Sequence, residues 1–153
     1  MKQFMWLVLF LLINFLALGI GSWLMNNGPT SNWYLTLNKA PWTPPGWVFG
    51  VAWTTIMICF SIYLSYLVNL KLSNTFWMLF IIQFVLNVSW NFIFFNQHAI
   101  GFALVVIIML TMLVGYYTFG FLSAMKLKSL LIVPYFLWLL IATSLNAYSY
   151  LKN

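Results

Sequence analysis

The chain has 153 residues, of which 65% are hydrophobic and only 4% are charged, whereas soluble domains carry about 25% charged residues. Its six cationic side chains are all lysines, it contains no Asp or Glu, and its formal net charge is +6. This composition excludes an ordinary soluble domain, and an aromatic content of 21% excludes a disordered chain, because disordered chains are poor in aromatic residues.

The missing carboxylates also exclude several kinds of site. A carboxylate pair for acid–base catalysis, a hard-cation site and a catalytic triad with an acidic residue all need Asp or Glu. One His and one Cys are too few for a closed zinc site, so no metal site is expected. Six scattered lysines form no basic patch, which argues against nucleic acid as a partner.

Five lysine-free stretches are long enough to cross a membrane, since a helix needs about 20 apolar residues to do so. They cover roughly 4–25, 46–70, 75–97, 100–124 and 129–151. Short separators follow the second, third and fourth stretches, which predicts an antiparallel bundle with each helix beside its sequence neighbour. The predicted fold class is therefore an all-α membrane protein, a bundle of five transmembrane helices in one domain over residues 1–153.

The first stretch could instead be a signal peptide, with Lys2 as its charged region and Ala17–Gly19 as a cleavage site. Its length and the central Asn14 favour a membrane span. The lysines then indicate the orientation, with four on one side and two on the other: Lys2, Lys71, Lys126 and Lys128 against Lys39 and Lys152. This excess predicts that the N-terminus lies inside the cell.

The first loop, residues 26–45, is far longer than the others, and such loops are usually functional or disordered. Its many large apolar residues disfavour disorder. Trp33 and Leu37 are four residues apart, which predicts a short helix across the mouth of the bundle. Three prolines then stiffen the chain, at Pro41, Pro44 and Pro45. The loop is predicted to form a lid.

Polar residues recur along the third span. Gln83, Asn87 and Asn91 are spaced four apart and lie on one helical face, edged by Trp90 and Phe94. Amide groups in lipid are costly unless they find partners. Two interpretations remain open here: hydrogen bonds between helices, worth about 1 kcal/mol each, or the wall of a cavity.

Faces that combine tryptophan with small residues occur on two other spans. The fifth span carries Trp138, Ala142, Leu145 and Ser149 with Asn146 beside them, and the second carries Gly46, Gly50, Trp53 and Met57. Such faces indicate either close helix packing or room for a flat ligand. The membrane interface explains tryptophans near span ends but not the deeper Trp53, Trp90 and Trp138, which a planar aromatic ligand would explain by stacking.

Two further patterns are less specific. His98, in the third loop, is either a solvated residue or an axial ligand to haem iron. The residues Leu145, Tyr148 and Lys152 fit a proposed cholesterol motif, which arises easily by chance in an apolar chain.

Three segments carry the most distinctive residues. They read Trp33-Tyr34-x-x-Leu37-x-Lys39-x-Pro41-Trp42-x-Pro44-Pro45-Gly46-Trp47-x-Phe49-x-x-x-Trp53, then Leu86-Asn87-x-x-Trp90-x-x-x-Phe94-Phe95, and Pro134-Tyr135-x-x-Trp138-x-x-x-Ala142-Thr143-x-Leu145-Asn146. Over nearly its whole length the chain resembles the tryptophan-rich sensory protein / translocator protein family (TspO/MBR), which includes the peripheral-type benzodiazepine receptor. It is similar to the bacterial-type members.

The resemblance implies a multi-pass protein of the bacterial cell membrane, commonly a homodimer. It implies a pocket under the first loop that takes protoporphyrin IX, as ligand or substrate, and ligands of the benzodiazepine-receptor type. No cofactor is obligatory, and cholesterol or other lipids are further partners. The ligand-binding positions implied are Tyr34, Pro44, Trp53, Asn87, Trp90, Asn91, Phe94, Trp138, Ala142, Leu145 and Asn146, with Trp53 and Trp138 as the catalytic positions of a light-dependent oxidative breakdown of the porphyrin.

The chain departs from the family pattern at three places. Leu35 and Thr36 stand where an acid often follows the loop tyrosine, Ser144 stands in place of a usual tyrosine, and Met57 replaces an aromatic residue or leucine. The first change puts the stability of the lid in question and the other two bear on ligand preference.

Four functions remain open from the sequence. The chain could be a porphyrin-binding sensor or regulator, an enzyme that degrades the porphyrin in light, a porphyrin or sterol/lipid transporter, or a membrane assembly partner without catalysis. The absence of charged residues within the spans argues against ion-coupled transport.

Overall fold

A computed structural model describes residues 1–70 and 74–153, and the described part of the chain contains helices and loops but no β-strand. Its α-helices are α1 (Lys2–Leu24), α2 (Asn32–Thr36), α3 (Gly46–Leu67), α4 (Asn74–Asn91), α5 (Ile100–Gly120), α6 (Leu122–Met125) and α7 (Val133–Lys152). Lys71 and the Leu72–Ser73 part of the predicted second separator lie outside the described residues.

The five long helices form a closed ring. Helix α1 packs on α3 and α4, α5 packs on α4 and α7, and α7 packs on α3. The all-α membrane bundle predicted from the sequence is confirmed. One detail of that prediction was wrong: α3 and α4 follow each other in the sequence, but α1 packs between them.

Four helices within the described ranges are long and apolar enough to cross a membrane on their own. A fifth crossing is reached when a bent pair, Leu122–Leu131 and Val133–Lys152, is counted as one span, and the axes of this pair meet at 74°. Helix α5 ends at Gly120, and a 3₁₀ segment (Lys126–Leu131) follows α6. The connection before α7 is therefore longer than the few residues predicted from the sequence.

An aromatic core fills the half of the bundle that lies away from the first loop. Phe60 stands between Tyr117 and Tyr135, with ring centroids 5.9 and 5.3 Å away. The Tyr63 hydroxyl donates to the Tyr117 carbonyl oxygen at 2.7 Å. This half of the bundle is densely packed. A cavity can therefore form only in the other half, beneath the first loop.

Neutral side-chain hydrogen bonds join the helices at depth. Asn14 of α1 donates to the Ser61 hydroxyl of α3 at 2.8 Å, and Thr111 of α5 and Thr143 of α7 share a hydrogen bond of 2.9 Å. Each such bond contributes about 0.6–1 kcal/mol in a membrane bundle. Together they hold neighbouring helices in register in a chain whose side chains cannot pair as ions, since it has no Asp or Glu.

Candidate functional site

The first loop folds over the end of the bundle as predicted. A 3₁₀ turn (Gly28–Thr30) leads into α2, and Ser31 caps that helix by accepting a hydrogen bond from the Tyr34 backbone N–H at 3.2 Å. The same Ser31 hydroxyl donates to the Gly28 carbonyl oxygen at 2.7 Å. The short helix therefore rests on a self-contained turn, and we refer to residues 26–45 as the lid.

Aromatic contacts hold the lid against the π-helical turn Phe92–Asn96, which continues α4, and against His98 just after it. The Trp33 ring stacks on the His98 imidazole, with centroids 4.0 Å apart and planes within 15°, and it meets Phe94 edge-on at 5.6 Å. A Cβ added at Gly28 would lie 2.6 Å from the Phe95 side chain. Only glycine permits this close approach of the lid to the bundle.

Two sets of hydrogen bonds tie the lid to α7. The Asn38 backbone N–H donates to the Asn153 side-chain oxygen at 3.0 Å, and the Asn153 amide donates back to the Asn38 carbonyl oxygen at 3.3 Å. Further along, the Trp42 indole N–H donates to the Ser144 hydroxyl at 3.1 Å. The lid is thus held by neutral groups, as a chain without acidic side chains requires.

Beneath the lid lies a cavity of about 560 Å³, within the range of small-molecule sites. Its walls come from the lid and from helices α3, α4, α5 and α7. The residues lining it are Met25, Pro29, Tyr34, Leu35, Lys39, Ala40, Thr43, Pro44, Gly46, Phe49, Trp53, Trp90, Asn91, Phe95, Ile107, Trp138 and Ala142.

A smaller compartment of about 50 Å³ adjoins the large one and shares part of its wall. Four further residues line it: Phe94, Leu145, Asn146 and Ser149. Because Tyr34, Lys39 and Trp90 line both spaces, we treat them as two parts of one site.

The three deep tryptophans line the large compartment but differ in how their rings are held. The Trp90 indole N–H donates to the Asn146 side-chain oxygen at 3.0 Å, while the Asn146 amide donates to the Ile100 carbonyl oxygen at 3.1 Å. The buried Trp138 N–H has no acceptor among the described residues. Trp53 meets the Tyr135 ring edge-on at 6.0 Å. Trp90 is therefore locked by a polar chain, whereas Trp138 is held by ring packing.

One cation belongs to the site. Among the described residues, Lys39 is the charged side chain that lines both compartments, and its ammonium lies 4.7 Å from the centroid of the Tyr34 ring. Burial raises the pKa of the Tyr34 hydroxyl above its usual value, so this group stays neutral at physiological pH. The polar end of the site can attract an anion and donate hydrogen bonds to it.

Ten of the eleven predicted ligand positions line this site. Asn87 is the exception: it is buried on α4, one turn from Asn91, and its carbonyl oxygen accepts from the Asn91 amide at 3.2 Å. The polar residues of the third span match both interpretations that the sequence left open, since one joins two helices and another lines the cavity. Gln83 donates to the Tyr135 hydroxyl of α7 at 2.9 Å, whereas Asn91 lines the cavity.

The three departures from the family pattern have different structural outcomes. Leu35 lines the cavity where an acid was expected. Ser144 accepts the hydrogen bond from the lid residue Trp42. Met57 is 0% exposed within the aromatic core and does not line the cavity, so its replacement does not change the cavity wall.

Sequence reasoning missed several contributors to the site. Phe49, Phe95, Ala40 and Thr43 line the cavity but were not singled out, although Phe49 and Phe95 stand in the quoted motifs. His98 was assigned to solvent or to haem iron, and its stacking on Trp33 was not foreseen. No group of His and Cys residues that could hold a metal ion occurs in the parts of the chain described here.

Comparison with known proteins agrees with this architecture. The profile of the TspO/MBR family matches residues 5–151. The chain belongs to the TspO/MBR family. It is a multi-pass membrane protein of that family, and the match spans every long helix and the lid.

Relatives within the TspO/MBR family come from distant organisms. The chain is 34% identical over 121 residues to protein CrtK of Rhodobacter capsulatus, covering 74% of both chains. It is 33% identical over 140 residues to the tryptophan-rich protein TspO of Chlorobaculum tepidum, covering 86% of this chain and 85% of that protein. It is also 32% identical over 126 residues to the human translocator protein, covering 78% and 74%.

The amide pair between Asn38 and Asn153 gives a direct test of how this TspO/MBR lid is held. We expect Asn153→Ala, which removes the side-chain oxygen and amide that pair with the Asn38 backbone, to speed backbone amide exchange within residues 26–45 by about two- to tenfold, because each net hydrogen bond contributes about 0.5–1.5 kcal/mol. Hydrogen–deuterium exchange with mass spectrometry measures this. Asn32→Ala, an exposed lid residue, is the matched control, and equal exchange in both variants would show that the pair does not hold the lid.

Proposed function

We propose that the protein binds a flat tetrapyrrole, protoporphyrin IX, in the cavity beneath the lid, and that it acts as a sensor or regulator of that compound. The observation that carries the proposal is the composition of the cavity wall. Three tryptophans and two phenylalanines surround a space of about 560 Å³, with Lys39 as its cation.

Aromatic walls suit a planar macrocycle for two reasons. Burying the faces of a large ring contributes about 25 cal/mol per Å² of apolar area, and each aromatic pair adds about 0.5–1.5 kcal/mol beyond that. Trp90 is already oriented by Asn146, so little conformational entropy is lost when a ring stacks on it. The wall therefore favours flat aromatic ligands over flexible ones.

The polar end suits the carboxylates of such a ligand. Lys39 has no acidic side chain in the sequence to neutralise it, and its ammonium lies over the ring of Tyr34, 4.7 Å from the centroid. A propionate at this end would meet a cation and a hydrogen-bond donor, while the macrocycle lies among the tryptophans. This arrangement supports a monoanionic or dianionic ligand with an apolar body.

Loss of a cavity tryptophan should weaken binding in the dark. We expect Trp53→Ala and Trp138→Ala each to raise the Kd for protoporphyrin IX by about tenfold, which corresponds to about 1.4 kcal/mol of lost stacking and burial. Fluorescence quenching of detergent-purified protein measures the Kd. Trp23→Ala, at an indole that is 78% exposed on α1, is the control, and an unchanged Kd in both cavity variants would place the porphyrin elsewhere.

Removal of the Lys39 charge should weaken the binding of charged ligands only. We expect Lys39→Gln to raise the Kd for protoporphyrin IX by about two- to fivefold, in line with 0.2–1 kcal/mol for a partly exposed ion pair, and to leave the Kd for its dimethyl ester unchanged. The effect should shrink at high salt. Lys152→Gln, near the same end of the bundle, controls for net charge. An equal loss for acid and ester would refute the propionate contact.

A second function is supported by the way the two catalytic candidates are held. Trp53 and Trp138 line the cavity, and neither indole N–H has a hydrogen bond to the described residues. We propose that the bound porphyrin is oxidatively degraded in light, with dioxygen as the oxidant. An indole would give one electron to the excited porphyrin, which would pass it to dioxygen as superoxide. The indole radical would then take an electron back from the porphyrin, so that the net change is a one-electron oxidation of the porphyrin by dioxygen.

The light reaction can be separated from binding by conservative substitution. Because phenylalanine still stacks but is much harder to oxidise, we expect Trp53→Phe and Trp138→Phe to keep the dark Kd within about twofold and to lose most of the light-driven product. Absorption spectra of the porphyrin under illumination measure the product. Equal product yields from wild type and both variants would leave only photobleaching of the free pigment.

A further inference from the structure

The connection between α5 and α7 has a geometry unlike that of a membrane span. Residues Leu122–Leu131 run at 74° to α7, so the segment crosses the end of the bundle instead of continuing along it. It lies at the end opposite to the lid and packs on α3. We call residues 122–131 the end segment.

The end segment exposes both leucines and lysines. Met125 and Ser129 are buried against the bundle. On the outer side Leu122, Leu127 and Leu130 are 51%, 79% and 62% exposed. Leucines with this exposure are unfavourable in water, and the neighbouring lysines are unfavourable in hydrocarbon. Exposed leucines and lysines are accommodated together at the boundary between the lipid headgroups and the acyl chains of a membrane.

The two lysines of the end segment differ in their surroundings. The Lys128 ammonium lies 4.0 Å from the centroid of the Tyr66 ring, a cation–π contact that leaves its N–H donors available. Lys126 is exposed and adopts φ 50° and ψ −127°, a conformation that residues other than glycine rarely adopt.

No internal anion can neutralise these lysines, because the sequence contains no Asp or Glu. We propose that the end segment is a binding surface for anionic phospholipid headgroups, with Lys126 and Lys128 on the phosphate and the exposed leucines among the upper acyl chains. This surface is independent of the cavity and of its ligand. It lies on the side predicted to face the cell interior, where membrane surfaces are negatively charged.

Charge removal should weaken lipid binding without harming the fold. We expect the double variant Lys126→Gly with Lys128→Gln to bind dioleoyl phosphatidylglycerol about 25-fold more weakly than wild type, at about fivefold per lysine. Glycine suits the positive φ at position 126, so the melting temperature should not fall through that change. Native mass spectrometry of detergent-purified protein measures the affinity for each bound lipid.

Three controls make this outcome specific. The double variant Lys39→Gln with Lys152→Gln removes the same charge at the opposite end and should keep wild-type affinity. Lys126→Arg with Lys128→Arg keeps the charge and should also retain binding. Dioleoyl phosphatidylcholine should bind weakly to all of them.

Several results would overturn the proposal. Equal weakening in the two charge-removal variants would reflect net charge alone. Equal affinity for phosphatidylglycerol and phosphatidylcholine would show that no anion is recognised. Displacement of the lipid by inorganic phosphate at comparable concentration would assign the lysines to a free anion and not to a membrane headgroup.

Discussion

A chain without acidic side chains must hold its polar parts together by neutral hydrogen bonds and aromatic contacts, and this constraint shapes the whole molecule. Amide, hydroxyl and indole groups join the helices, as between Asn14 and Ser61, and fasten the lid, as between Trp42 and Ser144. Each contact is worth only about 1 kcal/mol. Several weak contacts therefore hold the lid, and each of them can break without the others. This suits a segment that covers a binding site.

The same constraint leaves every lysine without an acidic side chain as partner. At the lid end, Lys39 lies over the Tyr34 ring and lines the cavity. At the other end, Lys128 lies over Tyr66 in a similar cation–π contact. Aromatic rings position both ammonium groups without neutralising them, so both remain available to anions from outside the protein. The bundle thus has a lysine over an aromatic ring at each end, one lining the cavity and one in the segment for which we propose lipid binding.

Much of the site was predictable because it depends on local spacing. Residues four apart on a helix share a face, so the sequence alone could place Asn91 on α4 and Trp138 with Ala142 on α7 on inward faces. A short lid helix was predicted from Trp33 and Leu37, and α2 does form there, but it ends at Thr36 and Leu37 is already extended. Distant pairings could not be predicted. The stacking of Trp33 on His98 and the pairing of Asn38 with Asn153 depend on how the helices pack, which no local pattern records.

The sequence by itself determined the membrane environment and the helical class, because apolar run length and the lack of charge leave a bilayer as the suitable environment. Its three motifs of tryptophan, proline and asparagine pointed to the family. Through the family resemblance it also identified ten of the residues that line the two compartments. Only the tertiary structure decided that α1 packs between α3 and α4, that Met57 belongs to the core, and that the chain turns across the bundle end before α7. The reason is physical: uniformly apolar helices carry little information about which neighbour they pack against, so shape and a few polar contacts make that choice.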